Sequence, residues 1–333
     1  MKRENLTLFD PELEAVAKIQ AGVRGTIAKK KAKQEVAWRT FNTLDADEES
    51  RLMQRRTKLL SSVLGARLNR ERPEAAALER LERETEELAI EAGYDGPHIS
   101  WPLTEAQVVA MMTAFKNGRR LHLRYAMQIL GKYRRFAGAM PTLIDVTVKP
   151  GTRLTICGDT HGQLQDLFSI FTINGIPSPA NRYLMNGDFV DRGEYSCEIL
   201  FTLMAFVLLY PAADPGVSAA CMLNRGNHES GNQNITGGFM MEVLDKYSGG
   251  LEGAPTDPER GMRVYDAFQA TFDAMPLVHV LAAGDKKVFV VHGGMMQRPG
   301  VTLAHISAVK RKREIPYGLP GFEDKLFEDL MWR

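Results

Sequence analysis

Four short polar blocks, each placed where a run of strand-forming residues ends, constrain this chain more than any other feature. They are Gly158-Asp159-Thr160-His161-Gly162, Gly187-Asp188-Phe189-Val190-Asp191-Arg192-Gly193, Arg225-Gly226-Asn227-His228-Glu229 and His292-Gly293-Gly294. The runs before them, 154–157, 183–185, 219–223 and 288–291, are short and apolar, which predicts strands. The polar residues therefore emerge where the chain leaves a sheet, the place where open α/β sheets put ligands. Leu164 to Phe171 is long enough for a crossover helix, and the interval from Asp159 to Asp188 fits a βαβ unit of about 30 residues. Adjacent parallel strands would bring those two carboxylates together.

The 333 residues can hold one sizeable core with an appendage, or two modest domains. With 42 Lys+Arg against 41 Asp+Glu the formal net charge is +1, so no global field favours nucleic acid or a membrane surface. No apolar span is long enough to cross a bilayer and no signal core follows Met1, which makes a cytoplasmic protein the expectation. Cys157, Cys197 and Cys221 lie far apart in apolar surroundings, as buried small hydrophobes do.

Four stretches follow one another. Residues 1–44 suit a basic amphipathic helix, 45–92 a solvated, charged helical connector and 93–140 a helical lead-in, with the catalytic-type blocks falling in 141–333. Thr104 with Gln107 forms a capping-box pattern that predicts a helix to Gly118, and a second helix is predicted from Leu121 through Tyr133. In the first stretch, Ile19, Gln20, Arg24, Gly25 and Lys29 fit a pattern that resembles calmodulin-binding IQ helices. An apolar face for a groove and basic residues for an acidic partner are its physical logic. Ala32 stands where that pattern ends in a larger hydrophobe, and a basic helix packing on its own protein is the alternative.

From about Leu121 to Trp332 the chain resembles the PPP family of serine/threonine protein phosphatases. The residues that carry this are Leu121-His122 with Tyr125, Ile156-Cys157-Gly158-Asp159, Asn174 to Ser178, Asn186 to Gly193 and Leu223 to Glu229. Their wording, with the IQ pattern in front, is most similar to the IQ- and EF-hand-bearing retinal degeneration C type. The resemblance implies an α/β fold, a calcineurin-like metallophosphoesterase β-sandwich flanked by helices and preceded by a mostly helical N-terminal region. It also implies Asp159 and His161 as ligands of a first metal, Asp188 as a bridge, and Asn227 with His292 on a second. Carboxylate, imidazole and amide oxygen suit Mn, Fe or Zn. Two such ions can acidify a water and clamp phosphoryl oxygens, so that no protein nucleophile is needed. Arg192 would hold phosphate through its planar fork, and His228, oriented by Asp191, would protonate the leaving serine or threonine oxygen.

Two departures qualify the resemblance. Residues 235–239 lack the Arg and Tyr that family members carry there, and the family pattern continues past Arg333 with a further phosphate-binding Arg, a further His ligand and EF-hands. Expected partners are phosphoprotein substrates and calmodulin or a related EF-hand protein. The alternatives are a weak or inactive pseudophosphatase serving as a calmodulin-binding module, and a nucleotide phosphoesterase, since such enzymes share the Asp-x-His and Asn-His-Glu logic. His122, His279 and His305 lack comparable context and read as packing or surface histidines, and Glu229 as a loop brace.

Overall fold

Each of the four runs contributes a strand, and the strands are divided between two sheets. In a computed structural model that describes residues 75–211, 220–249 and 257–332, the first part contains helices α1 (Ala75–Glu86), α2 (Glu105–Lys116) and α3 (Leu123–Gly138). Strands β1 (Leu143–Thr147) and β2 (Arg153–Cys157), helix α4 (Leu164–Asn174), strand β3 (Asn181–Met185), helix α5 (Ser196–Leu209) and strand β4 (Cys221–Leu223) come next. Helices α6 (Gly231–Gly237), α7 (Phe239–Tyr247) and α8 (Pro258–Ala274) follow. The remainder holds strands β5 (Val278–Ala283) and β6 (Lys286–Val291) and helices α9 (Leu303–Ser307) and α10 (Phe322–Trp332). The IQ-pattern residues Ile19, Gln20, Arg24, Gly25 and Lys29 lie outside the described residues.

Strands β2, β3 and β4 are parallel, with Cys157 opposite Met185 and Met185 opposite Leu223. Their carboxyl ends are thus level, and the first three polar blocks leave the sheet side by side. β1 pairs parallel with β5, and β5 pairs antiparallel with β6. The fourth block therefore comes from the other sheet, as the β-sandwich implied by the family resemblance requires. Ile144, Val146, Leu281 and Val290 from one sheet pack with Leu184 and Met222 from the other, with Leu154 against them, so the two sheets form a sandwich. The outer face of the β1–β5–β6 sheet is covered by Ile306, Leu326, Phe327, Leu330 and Met331. At the outer strands, Ile156 and Val288 remain 46% and 48% exposed.

The helices form where local chemistry directs. Thr104 and Gln107 close the predicted capping box of α2, and α3 starts on His122, whose Nδ1 accepts from Arg124 N at 3.1 Å. Helix α5 is apolar almost all round because all its residues from Ser196 to Val207 are buried. α1 differs from the solvated connector expected of this stretch: Leu78 is buried, and the Glu82 carboxylate meets Arg134 at 2.9 Å and also Arg135. All three cysteines are buried and free, as their surroundings implied. Among the described residues no helix is long and apolar enough to cross a membrane.

One buried cation ties these layers together. Arg225, fully buried, donates to the carbonyls of Glu229 and Arg313 at 2.9 Å each. It also pairs with Asp273 of α8 at 2.9 Å. Removing one partner of such a pair leaves an uncompensated charge in the interior. Asp273→Ala is expected to lower unfolding free energy by about 3–5 kcal/mol, measured by urea denaturation; a loss near zero would contradict this.

Candidate metal and phosphate site

The site is assembled by one acidic side chain that crosses between two loops. Glu229 is buried, and its Oε2 accepts from Asp188 N and Gly226 N, and its Oε1 from Phe189 N, all at 2.8 Å. Burial and the Asp188 charge push its pKa up to about 7 against the pull of those amides. The loops after β3 and β4 can approach this closely because residues 187 and 226 are glycines. A Cβ on Gly226 would lie 2.3 Å from Asp188 N, and one on Gly187, where φ is +90°, would lie 2.5 Å from the Gly226 Cα. The first block is laced to the second in the same way: His161 N donates to Asp188 O at 3.0 Å and Gly193 N to His161 O at 3.0 Å.

The five residues expected to ligate metal converge. The carboxylate of Asp188 turns one oxygen to each side, Oδ2 lying 3.5 Å from His161 Nε2 and Oδ1 lying 3.3 Å from His292 Nε2. Asp159 Oδ2 is 3.8 Å from His161 Nε2, and Asn227 Oδ1 is 2.8 Å from His292 Nε2. Both imidazoles are anchored through the other nitrogen, with His161 Nδ1 donating to Val190 O at 2.8 Å and His292 Nδ1 to Asn186 O at 2.7 Å. That arrangement directs both Nε2 atoms inward, as the ring partners of metal-binding histidines do. His161 Nε2 is buried with no hydrogen-bond partner among the described residues, so a cation would satisfy it, and the donor set fits that cation. Burial opposes charge on His292, but the Asp188 carboxylate outweighs it and raises its pKa to about 9.

Beside this cluster lies the expected proton-handling pair. His228 Nδ1 donates to Asp191 Oδ2 at 2.8 Å, and the His228 ring meets His161 edge-on at 4.7 Å. Burial disfavours the imidazolium, yet the Asp191 hydrogen bond and the carboxylates of Asp188 and Asp191 overcome it, so the His228 pKa is raised. Asp191 Oδ1 accepts from Phe239 N at 3.0 Å. Arg192 is exposed on the same loop and is held by its backbone N–H to Gly237 O at 2.9 Å. His161, Asp188, Asp191 and Arg192 all have positive φ, at 39°, 54°, 68° and 68°. Such conformations cost about 1–3 kcal/mol each and gather where side chains must be aimed. The glycine found at 237, in place of the family tyrosine, lies against Asp191: a Cβ there would be 2.2 Å from the carboxyl carbon.

The calcineurin-like phosphoesterase family matches residues 152–332, which hold the whole of this site. The chain belongs to that family. Phosphoesterases of this family that it is similar to include serine/threonine-protein phosphatase 5 of Arabidopsis thaliana, 41% identical over 73% of this chain and 40% of the relative. The human phosphatase 5 is 36% identical over 74% of this chain and 44% of its own length. Human serine/threonine-protein phosphatase with EF-hands 1 is 32% identical over 89% of this chain and 44% of that relative. These relatives place the phosphoesterase in the PPP group, although the phosphatase 5 proteins are more identical to it than the EF-hand relative is. Residues 67–145 also match the PPP5 TPR repeat region. Among solved structures, a Saccharomyces cerevisiae protein serine/threonine phosphatase with similarity to human PP5 is 29% identical, with a TM-score of 0.57 over 69% of this chain and 65% of that one. The chain spans less than half the length of the curated relatives it matches.

Several residues of the site were given no role by the sequence. Asn186 and Asn224 join the two sheets: Asn186 Nδ2 donates to Val291 O at 2.9 Å, and Asn224 Nδ2 to Asn186 Oδ1 at 2.7 Å. His279, read as a packing histidine, is buried and donates from Nδ1 to Asn224 Oδ1 at 2.6 Å. His122 and His305 are helix-start residues of α3 and α9. Asn234 and Glu314 also emerge only in three dimensions, Glu314 accepting from the Ser230 hydroxyl at 2.5 Å beside the Asn227-His228-Glu229 turn.

Two outcomes follow from these burials. Glu229→Gln turns an amide NH2 toward backbone N–H donors, and is expected to lower stability by about 2 kcal/mol or more, read by thermal or urea unfolding. For His279, burial lowers the folded-state pKa from 6.5 to about 3. The unfolded chain then binds an extra proton below pH ~6.5, so stability present above that pH is lost as pH falls toward ~3. His279→Gln, which keeps a donor for Asn224, should flatten the decline in urea midpoint below pH ~6.5; an unchanged profile would contradict this.

Proposed function

We propose that this chain carries the catalytic centre of a metal-dependent protein serine/threonine phosphatase. The observation that carries the reading is Asp188, whose two oxygens face His161 and His292 on opposite sides while the Asp191–His228 pair stands alongside. Asp159 and His161 would hold one cation, Asn227 and His292 a second, with Asp188 shared; oxygen and imidazole donors suit Mn, Fe or Zn. When bound, such cations supply Lewis acidity, lowering the pKa of water and neutralising phosphoryl oxygens. Arg192 offers a planar fork to the phosphate, which matches two oxygens at once. His228, with Nδ1 engaged by Asp191, keeps Nε2 as the position from which a proton reaches the departing serine or threonine oxygen. The names of the relatives support a phosphoprotein as substrate.

Purified chain supplied with Mn(II) is expected to release phosphate from phosphoserine and phosphothreonine peptides, and His228→Ala to lower kcat by about 10²- to 10⁴-fold. Asp188→Asn should abolish turnover. Equal activity in wild type and both variants would contradict the proposal, and much faster cleavage of a dinucleoside polyphosphate would assign a nucleotide phosphoesterase instead.

A second reading concerns control. We infer that Ile19, Gln20, Arg24, Gly25 and Lys29 supply a calmodulin-binding sequence; the spacing of apolar and basic residues supports it, and a relative named for its EF-hands matches 89% of this chain. The match of residues 67–145 to the PPP5 TPR repeat region supports a different protein partner for that stretch. Titration of labelled calmodulin with the full chain, with and without calcium, is expected to show binding that Ile19→Glu removes. Absence of binding in both states would eliminate this control, while binding without phosphatase turnover would favour a binding module.

A further inference from the structure

Helix α8 buries an amide among aromatic rings. Phe268 and Phe272 of α8 pack on Phe239 at 5.1 and 5.7 Å between centroids, and Phe201 lies 5.5 Å from Phe268. Gln269, next to them in sequence, is only 3% exposed. A primary amide is unfavourable in such a place unless its polar atoms are bonded. Its Nε2 donates to Asn234 Oδ1 at 2.7 Å. Asn234, itself fully buried, donates from Nδ2 to Asp191 Oδ2 at 2.9 Å and to His228 O at 2.8 Å. The direction of this chain is forced. Both partners of Asn234 Nδ2 are acceptors, so its Oδ1 must face α8, and only a donor can meet it there.

We propose that Gln269 is a positioning residue for the Asp191–His228 pair, acting through Asn234. By fixing the Asn234 amide, Gln269 holds the Asp191 carboxylate where His228 Nδ1–H can bond to it. That bond leaves His228 Nε2 turned toward the reacting ester. None of these contacts involves a ligand of the proposed cations, so the role concerns the departing group and is separate from metal binding. Its consequence for turnover rests on the phosphatase reading; the claim about hydrogen bonding does not.

The test uses Gln269→Met in the full chain, which preserves bulk and removes the donor. In ¹⁵N-histidine-labelled protein, the His228 Nδ1–H is expected to exchange with water about tenfold faster in the variant, in line with loss of one buried hydrogen bond. For turnover, kcat on a phosphoserine peptide should fall about tenfold more than kcat on p-nitrophenyl phosphate, with KM little changed, because nitrophenolate departs without a proton. A merely structural defect would slow both esters equally. Gln269→Leu, likewise without a donor, provides the same comparison should the methionine variant not fold. If wild type hydrolyses neither ester, the phosphatase reading fails and the exchange rate alone decides the positioning role. Unchanged Nδ1–H exchange in a folded variant overturns the proposal, as does an equal loss on both esters.

Discussion

The carboxylate of Glu229 is the contact on which the rest of the site depends. It accepts three backbone N–H groups, two from the loop after β3 and one from the loop after β4. Hydrogen bonds to a charged group contribute about 1.5–3 kcal/mol each, and here they are set against the cost of burying an acid whose pKa is pushed up to about 7. With this carboxylate in place, Asp188 and the Asn227-His228 pair are held against each other, and His228 N donates to Asp188 Oδ1 at 2.9 Å. Without it, the two loops that carry the proposed bridge and the proposed proton donor keep the bonds from His228 to Asp188 and Asp191, but the backbone amides of Asp188, Phe189 and Gly226 lose their shared acceptor.

Around that brace, strained backbone is stabilised by buried polar partners. Asp191 and Arg192 occupy consecutive left-handed positions, a conformation unfavourable for side chains with a Cβ. Their loop is retained because the Asp191 carboxylate accepts from His228, Asn234 and Phe239 at once. A separate buried cluster fixes the start of the following helix: Glu242 accepts from Ser196 N and Cys197 N, and Lys246 joins Glu242 to Glu198 at 2.8 and 2.5 Å. The consequence is a loop aimed from both ends, which presents Arg192 to solvent on a rigid support.

The strands and their polar blocks were legible in the sequence because both signals are local. Apolar runs of three or four residues announce β2, β3 and β6, and the polar blocks follow them directly. The capping box at Thr104 and the helix from Leu164 were legible for the same reason. Division of the strands between two sheets was legible only through the family resemblance and not in the strand runs themselves, because the pairing of β6 with β5 and the packing of Val290 on Leu184 and Met222 depend on distant segments. Gln269 has no local signal for its role, which emerges only when Asn234, 35 positions away, is placed against it. Likewise, the charged stretch that contains α1 gave no sign that Leu78 and Glu82 would dock on α3, since the partner arginines lie 52 and 53 residues later.

The central claim is that the cluster around Asp188 is a two-cation site. Anomalous diffraction from crystals of the chain grown with Mn(II) tests it most directly. The account predicts two peaks, one against Asp159 and His161 and one against Asn227 and His292, with the Asp188 carboxylate between them, and loss of both in Asp188→Asn. A single peak elsewhere on the surface, or none at saturating Mn(II), would contradict it.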